Sequence, residues 1–90
     1  MDSQPVSANP CTVGLRQVDD AVILDLRGEI DAFADETLDR AYAEAAALHP
    51  RRLLLNFVQV DYINSTGIAL IVALLAQARR DQVRLLACCL

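Results

Sequence analysis

The residues whose types could do chemistry lie between Val60 and Ile71, where Asn64-Ser65-Thr66-Gly67 stands directly before an apolar run. Small polar residues in that place mark a helix start. An Asn or Ser side-chain oxygen there accepts an orphan backbone amide, worth on the order of 1 kcal/mol. The position also suits a reactive hydroxyl, because the amides and dipole of a helix N-terminus favour negative charge. An exposed serine there can take a phosphoryl group and gain roughly −1.5 to −2 charge. Gly67 permits close approach of backbone or partner. Ordinary capping explains the motif by itself and is the simpler reading. Asp31, after Gly28-Glu29-Ile30, is the second candidate. Open α/β sheets concentrate function at strand C-terminal ends, where Asp31 and the Ser65 loop could meet. Its plainer role is a turn or cap for the helix that follows.

A serine nucleophile needs a hydrogen-bonded base. The chain of 90 residues has one histidine, His49, placed before Pro50 at the end of a predicted helix. All eight basic residues are arginine, so there is no lysine. That excludes a phosphate-loop lysine, a Schiff base and a lysine general base. One histidine also excludes the usual multi-histidine metal sites, and neither metal nor cofactor is expected. A formal net charge of −4 with scattered arginines makes a poor nucleic-acid binder. Cys11 and the neighbours Cys88 and Cys89 form no disulfide framework, and they predict reduced thiols in a cytoplasmic protein. The longest apolar run, residues 68–76, falls well short of the ~18 residues of a membrane span. Residues 1–10 lack the pattern of a signal peptide.

The elements that must position these residues follow from periodicity. Residues 1–9 read as a disordered lead-in and 10–90 as one domain. Cys11 to Val18 alternates in part, a modest strand signal, and Ala21 to Leu26 is a stronger, mostly apolar strand ending at Arg27-Gly28. With Asp19-Asp20 as turn chemistry between them, the two runs predict a hairpin. Leu38, Ala41, Tyr42, Ala45 and Leu48 fall on one helical stripe that His49-Pro50 stops. Glu36 can pair with Arg40 at i+4. Arg51 to Val58 reads as a central strand covered on both faces, and 59–64 as a loop. Ser65 to about Arg80 reads as a second helix with arginines in its last turn, and Val83 to Leu90 as a last strand. Two strand-helix-strand units imply right-handed crossovers in an α/β fold, a mostly parallel sheet with an antiparallel N-terminal edge strand. The apolar last strand lacks a cover, which predicts either missing C-terminal elements or a homodimer.

Gly28-Glu29-Ile30-Asp31, Glu36-Thr37-Leu38, Leu54-Leu55-Asn56-Phe57 and Tyr62-Ile63-Asn64-Ser65-Thr66-Gly67-Ile68 together resemble the STAS domain of bacterial anti-sigma factor antagonists. The resemblance runs from about Thr12 to Leu90. It implies a partner switch in which the unmodified antagonist binds an anti-sigma factor serine kinase and releases a sigma factor. The kinase would phosphorylate Ser65, the complex would dissociate, and a serine phosphatase would reverse the change. Asp31, Asn64, Ser65, Thr66, Gly67 and Ile68 would form the partner surface. The family most often has aspartate where this chain has Asn64. A second expectation keeps the fold and makes the chain a STAS subunit of a phospholipid ABC transporter or a scaffold of a sensory assembly. A third, with Ser65 as nucleophile of a hydrolase or transferase, lacks a base.

Overall fold

A computed structural model describes residues 9–89. The elements are β1 (Thr12–Val18), β2 (Ala21–Ile30), a 3-10 turn (Ala32–Ala34), α1 (Asp35–Ala46), β3 (Arg52–Ile63), α2 (Ser65–Arg80) and β4 (Leu85–Cys88). The lead-in expected over 1–9 lies outside the described residues except for Asn9, whose carbonyl accepts the Glu29 N–H at 2.9 Å.

One four-stranded sheet has the order β1-β2-β3-β4. β1 is antiparallel to β2, while β2, β3 and β4 run parallel. The α/β expectation with an antiparallel edge strand therefore holds. Asp19, at φ +56°, makes the hairpin turn, a left-handed conformation that aspartate tolerates better than most residues.

Both crossovers step the same way along the sheet, and right-handed crossovers of that kind put both helices on one face. Val22, Leu24, Leu26 and Ile30 of β2 and Leu53, Leu55 and Phe57 of β3 accordingly share one core with Leu38, Ala41, Tyr42 and Ala45 of α1 and Ile71, Leu74 and Ala78 of α2. The expected two-sided cover of the central strand is corrected by this. Leu54 and Ile23, on the other face, are half-buried and Val58 is exposed.

Other boundaries differ from the sequence expectation for identifiable reasons. β2 runs on to Ile30 rather than ending at Arg27-Gly28, because Gly28 takes φ +85° within the strand. A Cβ there would meet the Pro10 carbonyl oxygen at 2.5 Å. Residues 59–63, expected in a loop, are strand. They pair Arg27 with Gln59, Gly28 with Val60, Glu29 with Tyr62 and Ile30 with Ile63. Two register shifts, between Asp25 and Arg27 and between Gly28 and Glu29, place extra β3 residues against β2. Each such bulge resets the inside-outside alternation, so the period of two disappears from the sequence. α1 ends at Ala46, which leaves Leu48 outside the helix and exposed, and His49 turns left-handed at φ +52°. β4 is shorter than expected, and Cys89 lies beyond it.

At the end of α2, Gln82 takes φ +60° while Val83 N–H bonds the Ala78 carbonyl at 2.8 Å. This is a Schellman closure with a non-glycine residue in the left-handed position. Gln82→Gly is therefore expected to stabilise the chain by about 0.5–1 kcal/mol in urea unfolding; an unchanged or lower midpoint would count against the strain.

The uncovered face carries a polar row across the sheet. Asp25, almost wholly buried, accepts from Arg16 Nε at 2.5 Å and Nη2 at 3.0 Å, and from Asn56 Nδ2 at 2.9 Å. The Arg16 hydrogen bond outweighs burial, and with Asn56 and the Arg16 and Arg27 charges it holds the Asp25 carboxyl below the usual carboxylate range. A group with a lowered folded pKa adds stability that is complete above its unfolded pKa, about 3.9, and is lost as pH falls through the folded value. Acid unfolding curves of the wild type should thus steepen below about pH 4 relative to those of Asp25→Asn. Parallel curves would show that Asp25 is not linked to folding.

Candidate functional site

β2 and β3 deliver the candidate residues to one end of the sheet. Ile30 and Ile63 are register partners, so Asp31 and Asn64 follow from adjacent strand ends, and the Asn64 N–H bonds the Ile30 carbonyl at 3.3 Å. Asn64 is extended (φ −100°, ψ −178°) and is the N-cap of α2, its Oδ1 accepting the Gly67 N–H at 2.8 Å. Its carbonyl accepts the Ile68 N–H at 2.9 Å, the first bond of the helix. Asparagine thus does the capping, which leaves the hydroxyl of Ser65 unclaimed by that role.

Ser65 and Thr66 open the helix and are both exposed, while Gly67 is buried beneath them. A side chain at Gly67 would collide with the Ile30 carbonyl oxygen, and it would lie 2.7 Å from the Ile30 carbonyl carbon and 3.0 Å from Ile63 Cγ1. The missing Cβ lets the helix rest directly on the end of β2. Ile68, 52% exposed, projects outward one turn from Asn64. Asp31 is half-buried and caps the short turn, accepting the Phe33 N–H at 3.0 Å. All six sequence-predicted positions therefore fall on the two neighbouring strand ends and the helix start between them.

Two exposed aromatic residues that sequence reasoning missed lie in the segments that lead into the site. Phe33 is 85% exposed on the turn that packs near α2, and Tyr62 is 54% exposed on the last stretch of β3. An aromatic residue two positions after the candidate Asp31 was a usable signal for the first. The second was hidden by reading 59–64 as a loop. Apolar side chains this exposed in the segments flanking a serine suit a protein partner better than a small substrate.

The charge at this end is acidic. Asp31, Asp35, Glu36 and Asp61 lie in the segments that frame the site, and Asp61 accepts a hydrogen bond from the Asn9 side chain. Residues 28–36 and 59–69 contain no arginine. Arg51, Arg52, Arg79, Arg80 and Arg84 belong to the opposite end, where β3 and β4 begin and α2 finishes. His49 is also there, separated from Ser65 by the 12-residue length of β3, on the order of 40 Å at about 3.3 Å per residue. It cannot act as a base for Ser65. Among the described residues no group of three or more His, Cys, Asp or Glu side chains is arranged to hold a metal ion, and no helix is long and apolar enough to cross a membrane.

A family model described as the STAS domain matches residues 12–90. No curated protein matches the sequence significantly. Among solved structures, Mglu aligns at TM-score 0.71 and 27% identity over 82% of this chain and 18% of its own, so this chain spans about a fifth of that protein. An anti-sigma factor antagonist from Mycobacterium paratuberculosis aligns at TM-score 0.72 and 20% identity, over 89% of this chain and 69% of the other. The Bacillus cell fate determinant SpoIIAA in its phosphorylated form aligns at TM-score 0.61 and 21% identity, over 82% and 68%. At these identities the last two likenesses speak to fold.

Proposed function

We propose that this chain, which belongs to the STAS domain family, works as a non-enzymatic anti-sigma factor antagonist whose switch is Ser65. The observation that carries the reading is the exposed Ser65 at the first residue of α2, with Asn64 as the cap and exposed Ile68, Tyr62 and Phe33 in the flanking segments. In the unmodified state this surface docks on an anti-sigma factor serine kinase and frees the sigma factor. The Ser65 oxygen then attacks the γ-phosphorus of ATP held by the kinase, ADP leaves, and the hydroxyl proton passes to a base of the kinase. A serine phosphatase hydrolyses the phosphoserine and restores the first state.

The same geometry gives opposite energies to the phosphate in the free and bound chain. In the free chain the phosphate stands in water at a helix N-terminus, where amides and dipole favour it. The cap is a neutral asparagine, so no carboxylate at that position cancels this field. In the complex the phosphate has to be desolvated among Ile68, Tyr62 and Phe33, with Asp31 and Asp61 nearby adding like charge.

Affinity purification of the tagged chain from its own cells, followed by identification of bound proteins, tests the class of partner. A small kinase-like ATPase that travels with a sigma factor is the expected catch. A transporter ATPase in its place would move the chain to the role of a transporter subunit and overturn this proposal.

A further inference from the structure

The end of β4 carries a pair of thiols that partner switching does not use. Cys88 closes the strand, and its sulfur lies 3.9 Å from Asn56 Oδ1. In a regular strand the next side chain points to the opposite face. Cys89 instead takes φ +66°, a left-handed conformation uncommon for a residue other than glycine. That turn brings its sulfur to 3.3 Å from the Cys88 sulfur. Both thiols are free, with Cys88 half-buried and Cys89 exposed. The thiol contact, then burial, then the charges of Cys89 and Asp25 push the Cys88 thiol up.

We propose that Cys88 and Cys89 form a preset dithiol site for a thiophilic, pyramidal trivalent centre, of which an organic arsenical is the simplest representative. Capture balances without a redox step. An arsenoxide R–As=O forms two As–S bonds, the two thiol protons leave with the oxide oxygen as water, and arsenic stays trivalent.

Geometry separates this ligand from the alternatives. Neighbouring residues joined by a trans peptide have Cα atoms about 3.8 Å apart, less than the roughly 4.4 Å minimum of ordinary disulfides. Closing an S–S bond therefore strains the backbone, whereas a bridging atom does not. Tetrahedral zinc at about 2.3 Å from each sulfur spaces two sulfurs about 3.8 Å apart and wants four ligands. A three-coordinate pyramidal centre holds its sulfurs closer and completes its shell with its own organic group. Cys89 also lines a cavity of about 400 Å³ together with Phe57, Val60, Asp61, Tyr62 and Ile63, which offers that organic group a mostly apolar seat with one carboxylate at its wall.

The test is titration of the full chain with phenylarsine oxide in the absence of other thiols, read by intact mass and by free-thiol count. One equivalent should bind, two of the three thiols should disappear, and a dithiol should reverse the adduct where a monothiol at equal concentration does not. Cys11→Ser should leave this unchanged, while Cys88→Ser and Cys89→Ser should each abolish it. Because the fold presets the sulfurs, the folded chain should bind at least tenfold more tightly than the same chain in urea. Loss of a single thiol, retention in Cys89→Ser, or equal affinity in urea would each overturn the proposal.

Discussion

Gly67→Ala is expected to destabilise the chain by at least about 2 kcal/mol, against the usual sign of such a change. In a helix interior, alanine normally outdoes glycine by about 1 kcal/mol. Here the added methyl collides with the Ile30 carbonyl. That carbonyl is the last of β2, and it already accepts the Asn64 N–H. It cannot turn away without breaking the junction between strand and helix. The remaining escape is to lift the start of α2 off the sheet, which withdraws Ile71 and Leu74 from the core they share with β2 and β3. For a domain of this size, 1 kcal/mol corresponds to about 4–8 °C in melting temperature, so a drop on the order of 10 °C is expected. Urea unfolding followed by circular dichroism measures the change directly. A stabilised Gly67→Ala would mean that α2 does not rest on the end of β2.

The other large effect concerns binding. Ser65→Glu and Ser65→Asp should each weaken the proposed complex with an anti-sigma factor kinase by about a hundredfold, equivalent to about 2.7 kcal/mol. Ser65→Ala should stay within about threefold of the wild type. A carboxylate at the first residue of α2 suits the free helix, so these variants should remain folded and the loss should appear in the complex alone. The cost there is desolvation beside Ile68 and Tyr62 together with repulsion from the acidic side chains at this end. Calorimetry with the four proteins gives the comparison, and equal affinities would remove the charge mechanism.

Legibility in the sequence varied by element. α2 could be read because Asn64-Ser65 supplies a cap and Arg79-Arg80 suits the last turn, and the structure places the helix at Ser65–Arg80. The buried stripe of α1 was equally plain in Leu38, Ala41, Tyr42 and Ala45. Leu48 kept the helical spacing but follows the helix, since a periodic pattern does not record where backbone hydrogen bonding stops. The last stretch of β3 was hidden by bulges, which erase the alternation that identifies a strand. Asp25 is the one charged residue in the mostly apolar run 21–26, and only the pairing of β1, β2 and β3 reveals Arg16 and Asn56 as its partners. The closeness of the two terminal sulfurs depends on one left-handed φ at Cys89 that no residue type announces. The candidate site was legible for a different reason. Its residues occupy two short contiguous segments, and the parallel pairing of β2 with β3 joins them.

The central claim is that the hydroxyl opening α2 is the switch. Its most direct test is to incubate the unmodified chain with the proposed kinase partner and ATP, then locate the phosphate by fragment mass spectrometry. One phosphate is expected, on Ser65, and none in Ser65→Ala, with Thr66 left unmodified in both. Phosphate on Thr66 or elsewhere, or none at all while the kinase remains active on another substrate, would contradict it.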